Sequence, residues 1–217
     1  MNNNDERNQV RVLGYLYDNF QYSHTCRGEK FYTNLIACER ASGNVDFIPI
    51  LVSERILDVE QELKYKSVYV TGQFRSFNKR VFDKRESKLI LQIFVDSIQF
   101  IEEEDNHYNV NEIILDGYIC KPFIYRVTAL GREIADGIIA VNRDYHKSSY
   151  IPCISWGRNA SYMECLEVGT NVKIVGRIQS RQFKMKISET ETFDKTVYEV
   201  SIKSVEVIQG EDYESRS

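Results

Sequence analysis

Between Asn171 and Lys186 the chain reads NVKIVGRIQSRQFKMK, with no carboxylate anywhere in the run. Alternation places Val172, Ile174, Gly176 and Ile178 on one face of a strand. Lys173, Arg177, Gln179, Arg181 and Phe183 fall on the other, with Lys184 and Lys186 just beyond. An ordinary solvated strand face mixes both signs of charge, as other strands of this chain do. Cations without acids, next to an aromatic ring, suit a different task. Cations neutralise phosphates and release their counterions, while a ring offers a base a plane to stack on. That combination points to single-stranded nucleic acid.

A second stretch, SYIPCISWGRNA (149–160), holds the only tryptophan. Tyr150, Pro152, Ile154 and Trp156 share one parity, and Ile151, Cys153 and Ser155 the other. Bulk alone would send the first set to the core. An internal repeat argues the reverse. At an offset of 103 residues Asn8 falls on Asn111, Gly14 on Gly117, Tyr15 on Tyr118, Ile36 on Ile139, Arg40 on Arg143 and Pro49 on Pro152. One inserted residue later, Gly72 meets Gly176 and Ser76 meets Ser180. Moved back by the same offset, Ile151, Cys153 and Ser155 become Ile48, Ile50 and Val52, a wholly aliphatic row. That row is the interior, so Tyr150 and Trp156 are expected to face outward. The competing reading makes Trp156 core filler, because Cys153 and Ser155 are small for an inner row.

The elements that must position these residues follow the repeat. In the first copy period-2 segments cover roughly 9–17, 30–39, 46–52, 66–75 and 88–100, and SERILDVEQELKY is a helical pattern with Ser53 as its N-cap. In the second they cover roughly 112–120, 133–142, 150–156, 171–181 and 196–208, with a short helix near 158–167 ended by Gly169. The expected fold class is all-β: two tandem five-stranded Greek-key barrels of the OB type, each with one helix between strands 3 and 4. The first domain spans 1–106 and the second 107–217, joined through the acidic EEEDNHYN.

Composition narrows the function classes. No apolar run approaches the roughly twenty residues of a membrane span, and the start, MNNNDERNQ, is not that of a signal peptide. A cytoplasmic protein is expected. The five cysteines are scattered, with no C-x-x-C pair, and read as free thiols. His24, His107 and His146 form no metal-ligand spacing, and no glycine-rich phosphate loop occurs. No carboxylate pair or nucleophile–base arrangement can be assembled, so no enzyme, cofactor or metal is expected. The net charge of −4 confines any basic surface to a local face.

Residues 111–208 resemble the bacterial single-stranded-DNA-binding protein family. The likeness is carried by NEIILDGYICKP, IPCISWGRNA, LEVGTNVKIVGRIQSR and YEVSIKSVEVI. The first copy is more weakly similar, in NQVRVLGYL, VYVTGQFRS and LILQIFVDSIQF, and the chain is also similar to the related primosomal replication proteins. The resemblance implies base stacking on Tyr145, Tyr150, Trp156 and Phe183, all aromatic here. The matching first-copy places are Ser42, Phe47, Ser53 and Lys79, of which only Phe47 keeps a ring. Phosphate contacts are expected from Arg143, Lys173, Arg177, Arg181, Lys184 and Lys186. The first-copy loop RSFNKRVFDKRESK carries Arg75, Phe77, Lys79, Arg80 and Phe82, and either grips backbone or is a solvated hairpin tip. Tyr15, Tyr17 and Tyr22, with Tyr118 and Tyr125, are left open between face and packing.

The function so implied is single-stranded DNA binding in replication, recombination or repair, with a homodimer expected. The alternatives are an assembly module of primosome type with weak nucleic-acid affinity, and an RNA-binding protein of the same fold. The chain ends QGEDYESRS, without the acidic, hydrophobic tip common in the family. It is therefore expected either not to recruit replication proteins or to do so through a barrel surface.

Overall fold

The computed structural model describes residues 7–59, 61–80, 87–102, 110–186 and 192–208. The first half contributes β1 (Asn8–Leu16), β2 (Gln21–Cys26), β3 (Glu29–Glu39), β4 (Val45–Ser53), β5 (Ser67–Arg80) and β6 (Ser87–Phe100). The second contributes β7 (Asn111–Val127), β8 (Glu133–Arg143), β9 (Lys147–Trp156), α1 (Arg158–Glu164), β10 (Asn171–Lys186) and β11 (Thr192–Val207). The chain is mostly β-structure, as its alternating pattern requires. The boundary expected between residues 106 and 107 lies outside the described residues.

In the second half the strand pairings return to their origin. β7 pairs β8, β8 pairs β9, and β9 meets β11 in a short parallel step at Cys153 and Ile154. β11 then pairs β10, which pairs β7. The first half repeats this path through β1, β3, β4, β6 and β5, with its parallel step between β4 and β6. Inside lie the predicted aliphatic rows: Ile48, Ile50 and Val52 in one half, and Ile151, Val172, Ile174 and Ile178 in the other, all fully buried. Each such side chain contributes about 1.5–3 kcal/mol relative to exposure. The small inner residue Ser155 is also fully buried, and its hydroxyl donates to Ala135 O at 3.2 Å. Ala160 and Met163 of α1 bring bulk into the same core.

The glycines that match between copies have a steric cause. Gly72 and Gly176 each sit at a β-bulge, where the register with the next strand shifts. A Cβ on either would strike a carbonyl oxygen of that strand, Phe94 O or Ser201 O.

Two expectations are corrected. The first is the helix over SERILDVEQELKY: among the described residues no helix forms there, and beyond Ser53 the segment runs through turns, a bend and irregular backbone. Ser53 ends β4, and its hydroxyl accepts from Arg55 N at 3.1 Å without starting a helix. Donors that a helix would use internally go elsewhere: Leu63 N to Asn19 Oδ1 at 3.3 Å, and Tyr65 N to Leu16 O at 2.8 Å. Among the described residues of that segment Leu63 is the one buried hydrophobic, with Leu57 only partly buried, whereas in α1 Ala160 and Met163, one turn apart, anchor a helix face. The second is an extra strand, β2, which lines the edge of β3. Its residues are exposed throughout, so it has no burial alternation to read. Its second-half equivalent is continuous with β7, bent by register shifts near Lys121.

The halves join through β1 and β7, which pair antiparallel with Val10 opposite Ile113. Each half stiffens this edge with the same device. The Asn8 amide exchanges two hydrogen bonds with the Phe74 backbone, and the Asn111 amide does so with Ile178.

Candidate nucleic-acid interface

The register places a row of side chains across three strands of the second half. Tyr118 of β7 opposes Ala140 of β8, which opposes Tyr150 of β9. With strands about 4.8 Å apart, the backbone positions of the two tyrosines are roughly 10 Å apart, with the small alanine between them. Tyr118 is 44% exposed and Tyr150 50%. Gly117 beside Tyr118 lets β7 approach the Ala140 carbonyl closely.

Trp156 ends β9 on the parity of Tyr150, 38% exposed, with Nε1 donating to Ser201 Oγ at 3.2 Å. Ile154 shares that parity yet is buried, beside the short parallel step to β11. Tyr145 occupies the β8–β9 hairpin tip in the left-handed region (φ 59°) and is 88% exposed. A tyrosine is uncommon in that conformation, and here it throws the ring into solvent.

The first half carries the same row in Tyr15, Ala37 and Phe47. Tyr15 is 44% exposed, and Tyr17 meets Phe47 edge-on with ring centroids 5.0 Å apart. The place of Trp156 is different in kind. Ser53 is buried there, its hydroxyl bonded to the Glu29 carboxylate, with Arg55 at 3.6 Å from the same acid. Residue type left Tyr15 and Tyr118 ambiguous, and the strand register puts both in the aromatic rows. The usable signal was the repeat, which pairs the two tyrosines.

The basic strand β10 is free of acids only along the chain. Its neighbours supply them: Lys173 lies between Asp116 of β7 and Glu206 of β11. Arg181 pairs with Glu199 at 3.4 Å, and Gln179 donates to the same carboxylate at 2.8 Å and is buried. Arg177 lies 3.7 Å from Asp46 of the first half. Burial, then the like charge of Arg40, pulls the Arg177 pKa below its usual value. Val172, Ile174 and Ile178 turn inward as the alternation requires.

Elsewhere, Arg75 stacks on Phe94, its guanidinium carbon 4.2 Å from the ring centroid. Phe77 is 44% exposed. Phe82 lies outside the described residues, as do the side chains of Lys79, Arg80, Phe183, Lys184 and Lys186. Arg143 ends β8 beside the hairpin tip, opposite Lys147. Among the described residues no three His, Cys, Asp or Glu side chains come together as metal ligands, and no helix is long and apolar enough to cross a membrane.

Known proteins resemble this chain in sequence and in fold. The profile of the single-strand binding protein family matches residues 110–208. A single-stranded DNA-binding protein of Enterococcus faecalis is 32% identical over 82 residues, a match covering 35% of this chain and 44% of that relative's length. Two crystal structures of the single-stranded DNA binding protein of Thermus aquaticus superpose over nearly the whole chain. The wild-type protein aligns with TM-score 0.75 and 17% identity, covering 96% of both chains. A deletion variant aligns with TM-score 0.70 and 18% identity, covering 96% of this chain and 98% of its own. By sequence the second half is similar to the single-strand binding protein family, and the chain as a whole shares the fold of the Thermus aquaticus protein.

Proposed function

We propose that the protein binds single-stranded DNA without performing chemistry on it. Bases stack on the outward rings of the second half, and surrounding cations hold the phosphates. One observation carries this reading: Tyr118, Tyr150 and Trp156 stand on the outer face of the half whose sequence matches the single-strand binding family. Each closed circuit of strands is read as an OB barrel, the halves as domains 1–106 and 107–217, and the work as replication, recombination or repair in the cytoplasm. A homodimer would use a surface other than β1 and β7, which are already paired within the chain; among the described residues β2, at the sheet edge and exposed along its length, offers one.

A second reading has its own observation. Asp46 and Glu199 occupy Arg177 and Arg181, which removes two cations from the phosphate contacts expected of β10. An assembly module with weak nucleic-acid affinity would look like this.

Titration with dT and rU oligomers at two salt concentrations, following the lone tryptophan, tests the reading. A stacked base quenches Trp156 emission, and dT is expected to bind at submicromolar concentration in low salt. Unchanged emission together with no retention of labelled dT would leave the assembly reading in its place. Tighter binding of rU would assign RNA instead.

A further inference from the structure

The repeat builds two equivalent junctions between the halves, and they differ in charge. At the first, Arg40 binds Asp46 through Nε–Oδ2 at 2.7 Å and Nη2–Oδ1 at 2.5 Å. Asp46 is fully buried, and also accepts from Ser180 N at 2.7 Å. At the second, the offset puts Arg143 in the place of Arg40 and Ser149 in the place of Asp46. Ser149 keeps the backbone contact, accepting from Ser76 N at 3.3 Å. It has no charge to offer an arginine.

Arg143 has no ion pair among the described residues, and its Nε is buried with no hydrogen-bond partner. Burial pulls its pKa below the usual arginine value. A partly desolvated guanidinium without an acceptor is costly. The cost is relieved when an anion reaches the exposed part of the fork, and phosphate matches that planar geometry. The surroundings suit such a ligand. Arg143 lines an open cleft of about 500 Å³ with Arg7 and Lys147, against one lining carboxylate, Asp144. Arg7 comes from the first half, so an anion held here touches both. Tyr145, 88% exposed, stands at the rim.

We propose that Arg143, Arg7 and Lys147 form a phosphate site for the bound strand at this junction, while Asp46 neutralises Arg40 and Arg177 at the equivalent cleft. The strand then crosses between the halves on one side only, so a chain with two similar halves is given one path. This rests on the single-strand-binding reading above and adds where the backbone runs.

Two variants of the full chain test it, Arg143→Met and Ser149→Asp. The first removes the cation and keeps its stem; the second supplies the carboxylate that Asp46 supplies to Arg40. Affinity for a dT oligomer is measured by Trp156 quenching across salt concentrations, and melting temperature by circular dichroism. Losing one phosphate contact should reduce the slope of log K against log salt by about 0.7, which is about eightfold in affinity at 50 mM salt and about threefold at 200 mM. Both variants should show this, with melting temperature unchanged or higher and full quenching at saturation. An unchanged slope in Arg143→Met overturns the proposal, and a lowered melting temperature with that slope assigns Arg143 a packing role. If Ser149→Asp does not fold, Arg143→Met decides alone. Absence of quenching and of dT binding in the unaltered protein is a separate result that rejects the binding reading, and this site with it.

Discussion

Val10 and Ile113 face one another across the β1–β7 pair, and each is the other's counterpart in the repeat. A local two-fold relation between the halves therefore passes through this pair. Contacts around it are reciprocal. Ser76 Oγ accepts from Tyr150 N at 2.7 Å, and Ser180 Oγ accepts from Phe47 N at 3.0 Å. One chain has built internally the antiparallel joint that a symmetric dimer of single halves would need.

That symmetry predicts the behaviour of a fragment. Residues 110–208 alone would expose the β7 edge from Asn111 to Leu115, a row of unpaired backbone groups. A second copy can cover it in the same register, Ile113 against Ile113. Sedimentation equilibrium at micromolar concentration should report twice the fragment mass. A monomer would show that the joint needs sequence differences between the halves.

Base stacking predicts a separation of binding from stability. Trp156→Ala should weaken dT binding about ten- to a hundredfold, since a stacked base contributes roughly 1–3 kcal/mol. Its cost in stability should be near that of one hydrogen bond, about 1 kcal/mol, and not the roughly 3–5 kcal/mol of a buried aromatic. Tyr118→Ala and Tyr150→Ala should behave alike. Tyr15→Ala and Phe47→Ala should cost less binding, because Glu29 and Ser53 stand where the first half would need its tryptophan. Anisotropy of labelled dT and thermal melting measure the two quantities.

Asp46 should matter to stability more than any exposed ion pair. Asp46→Ala leaves Arg40 and Arg177 facing one another without their shared anion, and removes the acceptor for Ser180 N. Breaking a buried pair costs about 3–5 kcal/mol, and the partly exposed arginines place this case near about 3 kcal/mol. Arg181→Ala, at the more exposed pair with Glu199, should cost under about 1 kcal/mol. Equal losses in urea unfolding would contradict this ranking.

Thiol reactivity should follow burial. Cys26 and Cys165 are exposed, whereas Cys38 and Cys153 are buried. Burial, helped by the charge of Asp46, pushes the Cys38 pKa up to about 11, and burial drives Cys153 up as well. Only the thiolate reacts, so at pH 8 Cys38 has about a hundredfold less of the reactive form than at its ordinary pKa of 9.0. A disulfide reagent should label Cys26 and Cys165 rapidly and reach Cys38 and Cys153 only after denaturant is added. Rapid labelling of all five in the folded protein would contradict the packing.

Much of this architecture was legible because strand alternation and repetition are local. Ile151, Cys153 and Ser155 could be assigned inward from their first-half counterparts, and Tyr150 and Trp156 outward, without knowing what pairs with what. The failed helix at SERILDVEQELKY shows the limit: its pattern was adequate, but Asn19 and Leu16 accept hydrogen bonds that a helix would have kept for itself. The charge of the candidate site lay beyond the sequence altogether. Asp46 reaches Arg177, Glu199 reaches Arg181, and Asp116 and Glu206 flank Lys173 only after the strands are in register. An acid-free run says nothing about the strands beside it, because electrostatic energy falls with distance through space and not along the chain. For the same reason Arg143 and Arg40 look equivalent in the repeat, and only the tertiary contacts leave one neutralised and the other open to an anion.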